Sequence, residues 1–150
     1  MAHSNFQRTA MWLEACGKEK LIRNLSVQIG CDFEEQAEFL ECLSLDSFQD
    51  QETLNKVAAD LHQLGSLLKK GLILAGINEV DREDALDALC DREVTGNGVA
   101  YLADFDKESA DQAVLDANDA KLVNGKPVIL QGGKIGKPEG WTPANLKAFV

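Results

Sequence analysis

The chain has 150 residues, with 25 Asp and Glu against 15 Lys and Arg and a formal net charge of −10. At 45% hydrophobic and 27% charged residues it reads as one soluble domain able to bury a core. No apolar run is long enough to span a membrane, and the acidity excludes broad nucleic-acid binding, which needs a basic stripe.

The N-terminus lacks a basic region followed by an apolar stretch, so no secretory leader is expected. Cys16, Cys31, Cys42 and Cys90 show neither CxxC pairing nor zinc spacing. They sit among apolar helical residues and read as structural thiols of a reduced, cytoplasmic protein.

In chain order, residues 5–15 predict a short first helix with Phe6, Ala10 and Leu13 on one side. A charged connection, 17–24, leads to a second helix over 26–43. Its apolar stripe is Ile29, Phe33, Ala37 and Leu40, at spacings of three and four. The acidic stretch 45–51 reads as a loop. Residues 53–69 give the cleanest amphipathic period, with Leu54, Val57, Ala58, Leu61, Leu64 and Leu68 on the stripe. Lys69-Lys70-Gly71 is a strong helix end. The run Leu72-Ile73-Leu74-Ala75 predicts a short buried piece.

Asp81 predicts an N-cap for a helix over 82–103, with Leu86, Leu89 and Ala100 on its inner face. Gly96 and Gly98 cost helix stability and call for close packing or a ligand in return. The last helix, 107–122, turns Ala110, Ala113, Val114 and Ala117 inward. Beyond it Gly, Lys and Pro dominate. Asn124-Gly125 and Gly132-Gly133 are turn signals, and Val128-Ile129-Leu130 predicts one strand of a small hairpin. The expected fold class is all-α: a bundle of about five helices with an irregular C-terminal extension. A single domain spans 1–150, with its core at about 26–122 and an extension or lid at 123–150.

The chemistry-bearing residues are two acidic clusters at helical spacing: Glu34, Glu35 and Glu38, then Asp84, Asp87 and Asp91. Acids three and four apart share a helical face, where they repel one another unless a cation compensates. Two such faces make a set of hard oxygen ligands suited to Mg²⁺ and hence to phosphate chemistry. The bland alternative is a solvated acidic face. Lys121, Lys126, Lys134 and Lys137 follow the last helix and, with Asn118, could reach a phosphate chain. The string Gly132-Gly133-Lys134-Ile135-Gly136-Lys137-Pro138 lacks the spacing of a phosphate loop and the Ser or Thr after its Lys. His3 and His62 are the two histidines, and neither suggests nucleophilic catalysis. Trp12, Phe33, Phe39, Tyr101 and Trp141 are the candidates to stack on a base, and Trp141, in a polar Gly-rich segment, is the strongest.

Four strings carry a family resemblance when taken in order: Glu34-Glu35-Gln36-Ala37-Glu38, Asp87-Ala88-Leu89-Cys90-Asp91, Ala117-Asn118-Asp119-Ala120-Lys121, and Gly136-Lys137-Pro138-Glu139-Gly140-Trp141-Thr142-Pro143. Over roughly residues 26–146 the chain resembles the all-α nucleoside triphosphate pyrophosphohydrolase superfamily, which includes MazG-like, phosphoribosyl-ATP pyrophosphohydrolase-like and dimeric dUTPase-like enzymes. The resemblance implies cleavage of a (d)NTP to the monophosphate and pyrophosphate, with Mg²⁺ as cofactor and Mn²⁺ as a substitute. It assigns Glu34, Glu35 and Glu38 to catalysis. Glu35, Glu38, Asp87 and Asp91, with Asp84 in reserve, hold metal. Asn118 and Lys121 contact phosphate, and Lys137 and Trp141 close over the nucleotide. It also implies a homodimer or homotetramer and no direct nucleic-acid partner. Ala88 stands where the family usually has glutamate. That departure leaves open whether Asp84 and Asp87 or Asp87 and Asp91 form the second metal pair. It also keeps in play a catalytically silent nucleotide- or partner-binding relative, while the net acidity leaves open an acidic decoy for a nucleic-acid-binding protein.

Overall fold

Ser4 opens the first helix. Its Oγ accepts the N–H of Gln7, while Gln7 Oε1 accepts the N–H of Ser4 at 2.9 Å, a reciprocal cap. In the computed structural model, which describes residues 3–130 and 135–150, the helices are α1 (Asn5–Ala15), α2 (Ile22–Glu41), α3 (Phe48–Lys70), α4 (Arg82–Leu102) and α5 (Lys107–Asp119). A single 3-10 turn, Glu79–Asp81, precedes α4, and β1 (Leu122–Val123) pairs antiparallel with β2 (Lys126–Pro127) around the Asn124-Gly125 turn. The fold class is all-α with a short C-terminal extension. No described helix is long and apolar enough to cross a membrane. Gly132, Gly133 and Lys134 lie outside the described residues.

The chain divides into two compact units: residues 19–79, and residues 1–18 with 80–150. The first is an antiparallel hairpin of α2 and α3. Helix α2 begins at Ile22 and not at Ser26, although its N-cap, Leu21, makes no side-chain cap. Helix α3 begins at Phe48, so most of the stretch expected as loop is its first turn. Ser47 Oγ caps it by accepting the Asp50 N–H at 3.3 Å, with Asp50 favourably placed against the helix dipole. Its end is as expected: Gly71 takes the left-handed φ of 69°, and the Leu72 N–H reaches back to the Leu67 carbonyl at 3.0 Å.

The two helices cross at Gly30 and Gly65, so close that a Cβ on Gly65 would lie 2.7 Å from the Gly30 carbonyl oxygen. Ser26, Ala37, Ala58 and Leu68 are buried around this crossing. The fully buried Ser26 hydroxyl accepts the N–H of Ala75 at 3.1 Å. The rest of that run is not the buried piece expected: Leu72, Ile73 and Leu74 are exposed.

In the other unit α1 packs on α5. Arg8 bridges Asp116 at 2.7 Å and Asp119 at 2.5 Å and bonds Gln112 at 3.0 Å, while Asn5 bonds Asp111 and Gln112. Asp106 caps α5 by accepting the Ser109 N–H at 3.1 Å, and its own N–H is held by the Phe149 carbonyl at 3.0 Å. Helix α4 departs from expectation. Ala100 is its one buried residue, while Leu86 (64%), Leu89 (54%), Val94, Tyr101 and Leu102 are exposed. Gly96 and Gly98 are not in tight packing either, since a Cβ at each would meet nothing within 4 Å. Asp81 occupies the N-cap position without a capping bond from its side chain.

Candidate functional site

Glu34, Glu35 and Glu38 occupy successive turns of α2, with Glu34 four residues and Glu35 three residues before Glu38. Glu34 is half-buried and ion-paired with Lys69 of α3, so the two helices are tied together beside the Gly30–Gly65 crossing. Lys69 stood out in the sequence only as a helix-ending cation. Its pairing depends on how the hairpin closes. Farther along, His62 of α3 meets Glu41 of α2 at 3.0 Å.

The Glu35 carboxyl is pushed above its ordinary range, chiefly by burial, then by the charges of Glu38 and Glu34, with Asp32 adding and Lys69 opposing. Much of Glu35 is still open to solvent, so the energetic consequence is modest. Because its pKa is higher folded than unfolded, an ionised Glu35 costs the native state stability at neutral pH and nothing once both states are protonated. Glu35→Gln is therefore expected to raise the stability of the metal-free protein at pH 7 by roughly 0.2–0.5 kcal/mol, the scale of a like-charge pair on a helix. The gain should vanish below about pH 4, near the ordinary glutamate pKa. Urea unfolding at the two pH values measures it; a gain that persists in acid would mean that ionisation is not its cause.

Asp84, Asp87 and Asp91 lie along α4 in the other unit, all exposed. Among the described residues none of these three carboxylates joins an ion pair. Asp84 also lies in the first turn of α4, where negative charge is stabilised by the helix dipole. The donor set in each unit is made of carboxylate oxygens and so suits a hard divalent cation. Among the described residues, however, no three Asp, Glu, His or Cys side chains form a group able to hold one.

The four remaining candidates do come together, at the end of α5. Lys121 Nζ donates to Asn118 Oδ1 at 2.9 Å and lies 5.3 Å from the centre of the Trp141 ring. Lys137 Nζ lies 4.7 Å from the same ring. Trp141 does not stand free: its indole N–H donates to the Ala117 carbonyl at 2.7 Å. The Pro138–Trp141 turn, closed by the Trp141 N–H to the Pro138 carbonyl at 3.1 Å, delivers it there. That turn requires Gly140 at φ 77°, a conformation side chains rarely adopt. Trp12 of α1 joins the group, donating to the Asn118 carbonyl at 2.9 Å with its ring 6.0 Å from Lys121 Nζ.

A separate open hollow of about 480 Å³ in the same unit is lined by Glu93, Asn97, Tyr101, Phe105 and Asp111 among others; it contains Tyr101 from the stacking candidates and none of the carboxylate or phosphate-binding candidates. None of the four cysteines forms a disulfide; Cys16 is buried, Cys31 half-buried, and Cys42 and Cys90 exposed. Comparison of the chain with protein-family models, curated proteins and solved structures finds no match.

Proposed function

We propose that the chain is a Mg²⁺-dependent nucleotide pyrophosphohydrolase, cleaving a (d)NTP or related nucleotide to the monophosphate and pyrophosphate. The observation that carries this reading is the self-repelling carboxylate face of α2, where burial and neighbouring charge already raise Glu35. A divalent cation relieves that repulsion. The ordered motif strings support the same reading.

In this reading Glu35 and Glu38, with Asp87, Asp91 and Asp84, hold the metal. Bound there, Mg²⁺ would neutralise charge developing on the phosphates and lower the pKa of an attacking water. Glu34, held by Lys69, orients the water or completes the ligand set. Asn118, Lys121 and Lys137 meet the phosphate chain, and the Trp141 ring carries the ammonium groups and offers a stacking face to the base.

The exposed apolar residues of α4 fit a shared interface. A homodimer or dimer of dimers covers Leu86, Leu89, Val94 and Tyr101 and completes a metal site that the described residues of one chain do not form. Light scattering at micromolar concentration is expected to give a multiple of the chain mass; a monomer would count against this assembly.

A second reading, a catalytically silent nucleotide- or partner-binding relative, is favoured by the ion pair of Lys69 with Glu34, which already supplies one carboxylate with a cation. It is favoured too by Ala88, where the family has glutamate. Pyrophosphate release from a panel of ordinary and modified (d)NTPs with Mg²⁺ separates the two. Turnover on at least one member is expected, and binding without any turnover would establish the silent relative.

A further inference from the structure

The chain has two tryptophans. The fold brings both to Lys121, whose Nζ lies 6.0 Å from the Trp12 ring centre and 5.3 Å from that of Trp141. Both indole N–H groups are directed at the last turn of α5, Trp12 to the Asn118 carbonyl at 2.9 Å and Trp141 to the Ala117 carbonyl at 2.7 Å. Those carbonyls sit at the negative pole of the helix. The Asn118 carbonyl also accepts the Lys121 backbone N–H at 3.0 Å; without the indoles the pole would repel a phosphate more strongly and draw the Lys121 ammonium onto itself. With the indoles donating to the carbonyls, the pole is partly neutralised. Lys121 is held instead between two rings and Asn118 Oδ1, and Lys137 lies 4.7 Å from the centre of the second ring.

We propose that Trp12 is a positioning residue for polyphosphate binding: it covers the negative end of α5 and holds Lys121, so that Lys121 and Lys137 can take a chain of phosphates. This rests on the reading that those two lysines meet the phosphates of the substrate. Helix α1 thereby becomes part of the binding face, which the sequence motifs alone place at the end of α5 and beyond.

Inorganic tripolyphosphate is the probe, titrated into the full chain with affinity read by calorimetry. Trp12→Phe keeps an aromatic ring and loses the N–H, while Trp12→Leu loses both. With one hydrogen bond and part of a cation–π contact removed, Trp12→Phe is expected to weaken tripolyphosphate about five- to thirtyfold, with helix content unchanged and Trp12→Leu weaker still. In a Lys121→Met background the Trp12→Phe substitution should cost less than about twofold, because the lysine it positions is gone. Emission from the Trp141→Phe protein, in which Trp12 is the one remaining tryptophan, should change as tripolyphosphate binds.

Unchanged affinity in Trp12→Phe, the same loss with and without Lys121, or Trp12 emission that ignores bound tripolyphosphate would each overturn the proposal. The underlying reading is judged separately. If Lys121→Met and Lys137→Met together bind tripolyphosphate as the unaltered chain does, the lysines are not the phosphate site, and the role given to Trp12 falls with them. If that pair loses binding while Trp12→Phe does not, only the role of Trp12 fails.

Discussion

Glu38→Gln is expected to abolish pyrophosphate release, by at least about a hundredfold, while leaving the helices intact. The expectation follows from the place of Glu38 on α2: it shares a face with Glu34 and Glu35, and its charge is the largest electrostatic contribution raising Glu35. The amide keeps the shape and one acceptor oxygen but removes the charge that a hard cation requires. Outer partners of metal ligands already matter about 10–100-fold, so loss of a direct ligand should exceed that. The fold should not suffer, because Glu38 is exposed and its removal relieves two like-charge contacts worth roughly 0.2–0.5 kcal/mol each. The two measurements together decide the matter. Full turnover in Glu38→Gln with Mg²⁺ would remove Glu38 from the site. Loss of turnover accompanied by loss of helical circular dichroism would reduce the effect to misfolding.

Gly65→Ala should destabilise the hairpin by a net of about 1–2 kcal/mol, against the usual preference of helices for alanine. The new methyl would lie 2.7 Å from the Gly30 carbonyl oxygen, a backbone atom that no rotamer change can move aside. Relief requires α2 and α3 to separate, loosening the burial of Ala37, Ala58 and Leu68. Overpacking of this kind costs about 1–3 kcal/mol or more, and the gain in helix propensity returns only about 1 kcal/mol. Separation would also strain the Glu34–Lys69 pair, so divalent-cation affinity should change with stability. Gly96→Ala is the matched control. Its Cβ meets nothing within 4 Å, so the propensity gain of about 1 kcal/mol stands unopposed within one chain. Urea unfolding of the two variants should therefore shift in opposite directions. Stabilisation by Gly65→Ala would show that the crossing is looser than the structure has it. Destabilisation by Gly96→Ala in a protein that light scattering finds oligomeric would place that stretch of α4 in the interface between copies.

Local rules made much of the chain legible. The ends of α1 and the Gly71 stop of α3 follow from caps and dipole preferences that act within one turn. Spacing alone put Glu34, Glu35 and Glu38 on one face of α2, and Asp84, Asp87 and Asp91 on one side of α4. The same rules failed at the starts of α2 and α3. Leu21 lacks a capping side chain, and the acidic residues after Ser47 looked like loop although Ser47 caps them into helix. Apolar period misjudged α4 as well, because periodicity reports that a face is apolar and not what covers it.

Tertiary structure decided the pairings. Nothing in the sequence linked Lys69 to Glu34, thirty-five positions away, or set Gly30 against Gly65. Both depend on the register in which α2 and α3 close. Nor did composition show that Trp12 and Trp141, at opposite ends of the chain, would meet at Lys121. Sequence by itself thus determined the all-α class, most helix ends and the acidic faces, because those rest on backbone geometry and caps within a few residues. The partners of each charge and each indole were decided only when distant helices packed, because hydrogen bonds and ion pairs act over a few ångströms and only the fold brings such groups within reach.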